Sequence, residues 1–155
     1  MNHTLSTIRL TLPRILAAGA IVLAGFSLSA QAVELKFKLS GAEEVPPVTT
    51  SATGSGTITV APDMSVSGSV TTSGITGTMA HIHIAKAGAN GPVVIPLVKD
   101  GDNGWKVPAG AKLTEAQFQA CKASELYVNV HSAEHKGGEI RAQLMPPGKP
   151  MGKGY

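Results

Sequence analysis

Leu35, Phe37 and Leu39 alternate with Lys36 and Lys38. Apolar side chains at every second residue share a face only in a β-strand. The pattern recurs. Residues 57–60 place Ile58 and Val60 inward, and residues 65–72 place Val66, Gly68 and Val70 on one face. Residues 79–85, 92–98, 126–131 and 139–144 read as four more strands, with 92–98 apolar enough to be buried on both sides. Between them lie turn formers: Ala61-Pro62-Asp63, the run from Gly88 to Gly91, the loop from Asp100 to Gly104, and Gly137-Gly138. One helix interrupts the series. Thr114 can cap it with Gln117 completing a capping box, Leu113 and Phe118 stand at staple positions, and it should end near Ala123. Short strands with turns at this spacing predict an all-β, antiparallel β-sandwich of about seven to eight strands with one short helix.

The charge balance divides the chain into three parts. The 155 residues carry 13 basic and 10 acidic side chains, a net charge of +3 and a pI near 9.1. Residues 1–32 read as a cleaved signal peptide. Arg9 and Arg14 precede an apolar run from Ile15 to Leu28, and Ala30-Gln31-Ala32 is a small-x-small cleavage pattern. The run is short for a membrane span, and an A-x-A site follows it, against an uncleaved anchor. The expected location is therefore periplasmic or secreted, with no membrane contact after cleavage. Residues 145–155, rich in Pro and Gly and bearing Lys149 and Lys153, read as a disordered tail. Setting aside those two lysines and the two arginines leaves nine basic against ten acidic residues in 33–144. With 4% aromatics as well, there is neither a basic stripe nor a stacking surface for nucleic acid.

One cysteine excludes an internal disulfide and any multi-cysteine metal site. The chemistry then rests on histidine. Apart from His3 in the leader, the histidines His81, His83, His131 and His135 fall in two segments. In a strand, His81 and His83 lie on one side, opposite Ala80, Ile82 and Ile84, with their Cα atoms about 6–7 Å apart. Both can reach one metal ion. His131 shares a polar face with Tyr127 and Asn129, opposite Leu126, Val128 and Val130; on the last strand Glu139, Arg141 and Gln143 face away from Ile140, Ala142 and Leu144. A third imidazole from this second strand would complete a three-nitrogen site with an open position. Imidazole suits copper and zinc. The competing reading is ordinary hydrogen-bonded surface histidines.

An ordered set of motifs supports the first reading. Residues 39–48 (LSGAEEVPPV), Ala80-His-Ile-His83, Asn90-Gly-Pro-Val-Val94, Tyr127-Val-Asn-Val-His131 and Gly138-Glu-Ile-Arg141 resemble the CHRD (chordin) domain, over roughly 33–144. The resemblance implies an immunoglobulin-like, Greek-key sandwich, distantly similar to copper–zinc superoxide dismutases. It carries over His81, His83 and His131. His135 stands outside the family pattern and is expected as a local addition to the metal site or as a bystander. Ala85-Lys86 and Ala142 stand where glycines often follow the HIH and GEIR motifs.

Other residues weigh less. Met79 shares the face of His81 and His83, where a thioether would favour Cu(I), although a methionine packed at a sheet edge is the plainer reading. Cys121 lies on the helix and reads as a small buried apolar residue; a blue-copper site built from it with His131 and Met145 is disfavoured because it sits in a capped helix. Glu139 and Arg141 could pair to orient a histidine, though Arg141 fits better as a clamp on loop carbonyls. The Asp100 loop lacks the terminal Glu of a calcium loop. The expected function is an exported protein holding one copper ion, in copper handling or superoxide-type redox chemistry. The alternatives are an interaction module without metal, and a zinc protein.

Overall fold

The computed structural model describes residues 31–149. The leader through residue 30 and the tail from residue 150 lie outside the described residues. Nine strands and one helix follow in chain order: β1 Val33–Ser40, β2 Thr53–Val60, β3 Val66–Ser73, β4 Gly77–Ile84, β5 Val93–Pro96, β6 Val98–Lys99, β7 Gly104–Lys106, α1 Glu115–Lys122, β8 Leu126–Ser132 and β9 Ile140–Leu144. All pairings are antiparallel, in the order β5-β4-β8-β9-β1-β2-β3-β7-β6. The all-β, antiparallel expectation holds, in a sandwich-like or barrel-like arrangement of one nearly closed sheet with nine strands where seven to eight were expected.

The sheet bends at one place. β1 and β9 share a single register pair, Ser40 with Arg141, whereas β1 and β2 pair along their whole length. A four-strand wing (β5, β4, β8, β9) and a five-strand wing (β1, β2, β3, β7, β6) therefore close over one another, as in a sandwich. Their apolar faces form one cluster that includes Leu35, Phe37, Ile58, Val70, Ile82, Val128, Val130, Ile140 and Trp105. Trp105 of β7 spans the gap, its ring 3.1 Å from the position a side chain on Gly77 of β4 would take.

β1 buries Leu35, Phe37 and Leu39 and exposes Glu34, Lys36 and Lys38, as its alternation requires. β2 begins four residues before the strand legible in the sequence. Its first half presents Gly54 and Gly56 inward, in register with Leu39 and Phe37. A Cβ on Gly56 would stand 2.7 Å from the Phe37 ring, so the aromatic side chain fills the space that glycine leaves. The expected doubly buried strand at 92–98 is instead two short pieces interrupted at Leu97. β5 and β6 form the two sheet edges, and Val93 and Val98 are exposed. Pro92 and Pro96 explain the difference, because proline cannot donate to a ladder and is confined to edges. The helix forms as expected. Thr114 Oγ1 accepts from the Gln117 amide at 3.2 Å, and Gln117 Oε1 accepts from the Thr114 amide at 2.8 Å. Cys121 is buried on this helix, and burial pushes its thiol up.

β8 and β9 depart most from expectation. Every residue of both is buried, including the polar face. Two loops cover that face. Residues 41–48 fold back through a 3-10 turn, with the amides of Glu44 and Val48 both bonded to the Gly41 carbonyl at 3.2 and 2.9 Å. Residues 85–91 lie beside them, joined by Asn90 Nδ2 donating to the Val45 carbonyl at 2.7 Å. At the chain's far end, Lys149 Nζ donates to the Lys122 carbonyl at 2.5 Å, closing the C-terminus of α1. Among the described residues no helix is long and apolar enough to cross a membrane.

Candidate metal centre

β4 and β8 are neighbours, with register pairs Met79–His131, His81–Asn129 and His83–Tyr127. This pairing brings His131 diagonally across from His81, on the same face of the sheet. Ring centroids of His81 lie 4.8 Å from His131 and 5.4 Å from His83, and those of His83 and His131 are 6.3 Å apart. One nitrogen from each ring falls in a group whose members all lie within 4.8 Å of one another.

Backbone carbonyls set the tautomers of two rings. His83 Nδ1 lies 2.9 Å from the Gly91 carbonyl and His131 Nδ1 lies 2.9 Å from the Lys136 carbonyl. A carbonyl only accepts, so each Nδ1 carries the hydrogen and donates it. That leaves Nε2 as the lone-pair nitrogen of His83 and of His131, the arrangement metal-ligating histidines use. His81 Nδ1 lies 2.9 Å from His131 Nε2. Burial holds all three rings below the usual imidazole range; for His81 its two neighbours add to the effect and take it to about 4. At neutral pH the three are uncharged, as ligands must be.

The donor set fits a small d-block cation. His83 Nε2 is buried without a well-formed hydrogen bond, although the Asn129 side chain stands close enough to act on the ring, and a bound cation would satisfy it. Metal–nitrogen bonds of about 2.0–2.1 Å in a tetrahedral site set nitrogens roughly 3.3 Å apart. The His81–His131 separation would widen by a few tenths of an ångström, and the wider separations, which lie within 4.8 Å, would close by up to about 1.5 Å to reach that geometry.

His135 is not in the converging group. It is half-buried and contributes through its main chain: its amide donates to Ser132 Oγ at 3.1 Å and its carbonyl accepts from the Gly138 amide at 3.1 Å. These bonds shape the turn that carries the Lys136 carbonyl to His131. Cys121 is likewise outside the group.

Behind the histidines lies a buried polar layer. His83 stacks on Tyr127 at 4.8 Å and 7°, and the Arg141 guanidinium carbon lies 3.5 Å from the Tyr127 ring centroid. Arg141 is 1% exposed. It donates to the Ala89 carbonyl at 2.9 Å, to Asn90 Oδ1 at 3.1 Å and to Gln143 Oε1 at 3.3 Å. The role of carbonyl clamp holds. Glu139 turns elsewhere, accepting from Thr50 Oγ1 at 2.7 Å, and no ion pair joins it to Arg141 among the described residues. Gln143 Nε2 donates to the carbonyls of Ala85 and Ser124 at 2.9 and 2.8 Å, and the Gly91 amide donates to the Tyr127 hydroxyl at 3.2 Å. The loop that presents the Gly91 carbonyl to His83 is thus held from beneath.

Glu44 enters this layer from the covering loop and is 5% exposed. Burial pushes its carboxyl up to about 7, against the pull of Arg141, the Asn129 side chain and the Val45 backbone. Nothing local in the sequence marks Glu44 as buried, because its neighbours come from β8 and β9. Tyr127, by contrast, was legible as a face-mate of His131.

A family model, the CHRD domain, matches residues 35–144. The chain belongs to the CHRD domain family. No curated protein and no solved structure shows a significant match. In this CHRD domain the HIH motif lies in the second half of β4, the YVNVH motif fills the middle of β8, and the GEIR motif supplies the turn into β9 and its buried arginine.

Proposed function

We propose that this CHRD domain is an exported protein that binds one copper ion through His81, His83 and His131, in copper handling or in redox chemistry on a small molecule of the superoxide type. The observation that carries the proposal is the gathering of one nitrogen from each of three neutral imidazoles within 4.8 Å of one another, two of the rings being held through Nδ1 by backbone carbonyls. The direct His81–His131 contact alone would suit a metal-free scaffold, but it leaves His83 Nε2 buried without a well-formed hydrogen bond. Copper, when bound, would supply one-electron chemistry. The protein's own contribution is orientation. The carbonyls of Gly91 and Lys136 hold two rings, and the Tyr127–Arg141 layer holds the first of those carbonyls.

Metal analysis of protein purified from the periplasm tests this. We expect about one copper per chain, lost in both His81→Ala and His131→Ala. Copper content unchanged in both variants would sink the assignment, and zinc retained in its place would transfer the site to zinc. Bound copper also stabilises the fold by mass action, by about 2.7 kcal/mol at a free concentration a hundredfold above Kd. The melting temperature should therefore rise with copper in the wild type and not in His81→Ala.

A further inference from the structure

Met79 lies on the metal-bearing face of β4, two residues before His81, and is the register partner of His131. Side chains directly opposite across an antiparallel pair have Cβ atoms about 4.5–5.5 Å apart. Its side chain therefore starts beside the cluster. A register shift separates Gly77 from Met79 in the β4–β8 ladder, and such bulges re-aim side chains at the ends of ladders. Exposure rises along this face of β4. His83 is 8% exposed, His81 is half-buried and Met79 is 47% exposed. The cluster thus opens to solvent at the Met79 end. Met79 belongs to the outer face and takes no part in the hydrophobic core, unlike Met64, which packs against it.

We propose that Met79 is the fourth donor of the three-histidine site and makes it selective for Cu(I). The inference rests on the metal-binding reading above. The Met79 side chain is unbranched and flexible, so its sulfur can swing over the open side of the cluster without moving the backbone. A thioether is a soft, uncharged donor. It favours Cu(I), whereas zinc is served by imidazole, carboxylate and thiolate. Three nitrogens alone accept either metal; the added sulfur separates them.

The test uses full-length mature protein and its Met79→Leu variant, a volume-conserving change at an exposed position. Cu(I) affinity is measured anaerobically by competition with bicinchoninate, and Zn(II) affinity with a zinc chelator. Loss of a bonded donor should cost at least as much as loss of an outer-shell partner, about tenfold. We expect Met79→Leu to weaken Cu(I) by that factor or more and to leave Zn(II) unchanged. X-ray absorption of the Cu(I) form should show a copper–sulfur contribution that Met79→Leu lacks. Equal Cu(I) affinity in both proteins, with no sulfur contribution, overturns the proposal. A His81→Ala control separates the two readings. If it loses Cu(I) while Met79→Leu does not, only the role of Met79 falls. If it binds Cu(I) like the wild type, the histidine site falls as well.

Discussion

At the scale of single residues, Arg141 bears more structure than its charge suggests. Its guanidinium spans a carbonyl, an amide oxygen and an aromatic ring with almost no contact with water. Lysine can neither stack flat on Tyr127 nor reproduce the fork. Arg141→Lys should cost about 1–3 kcal/mol, the penalty for leaving buried acceptors unpaired, measured by urea unfolding. The exposed pair of Lys36 with Glu34, at 3.2 Å, provides the contrast, since Lys36→Ala should change stability by under about 1 kcal/mol. Similar losses in the two variants would refute the clamp. Glu44 makes a prediction in pH. Its carboxyl holds a proton up to about 7 in the fold and only to about 4.5 when unfolded. Between those values the unfolded chain binds fewer protons, so stability falls as pH rises from 4.5 through 7. Glu44→Gln removes this dependence. The melting temperature of the variant relative to wild type should therefore climb across that window, in metal-free protein; a constant difference would show that Glu44 titrates normally.

At the scale of elements, alternation made β1 legible and glycine hid half of β2. Gly56 is a strand residue because Phe37 lies over it, a relation between two strands that no window along one strand contains. Gly56→Ala should lower stability by about 1–3 kcal/mol through overpacking, because the new methyl would sit 2.5 Å from the Ser69 carbonyl oxygen and 2.7 Å from the Phe37 ring. A neutral result in thermal unfolding would mean that the ring has room to move. The helix was legible down to its cap, since a capping box is a local device. Thr114→Ala should cost about 1 kcal/mol and Thr114→Ser almost nothing. Alternation also places the polar faces of β8 and β9 on the correct sides of their strands, but it does not contain their burial. That burial depends on loops that arrive from some 40 to 90 positions away in the chain, as Thr50 does to Glu139 and Asn90 to Arg141.

At the scale of the whole molecule, β4, β8 and β9 lie inside the wing while β5 and β6 form the edges. Amide hydrogen exchange should be slowest in β8, which is buried over its whole length, and fastest in β5 and β6, which expose Val93 and Val98. Comparable rates in β8 and β6 would contradict this arrangement. The histidines sit between these regimes, on the last strand before an edge and on its buried neighbour. That position lets rigid elements hold them while one side stays open.

The amino-acid order alone determined the all-β class, the capped helix, the family, and which side chains share a face with His81, His83 and His131. Each of these is set by period two, by local capping or by an ordered set of motifs, and so is written along the chain. Only the tertiary structure decided that β4 and β8 are adjacent, that His135 stays outside the cluster and that Glu44 and Arg141 are buried. Pairing between strands and closure of loops depend on contacts between residues far apart in sequence, and the side-chain pattern of a single strand does not specify its neighbour.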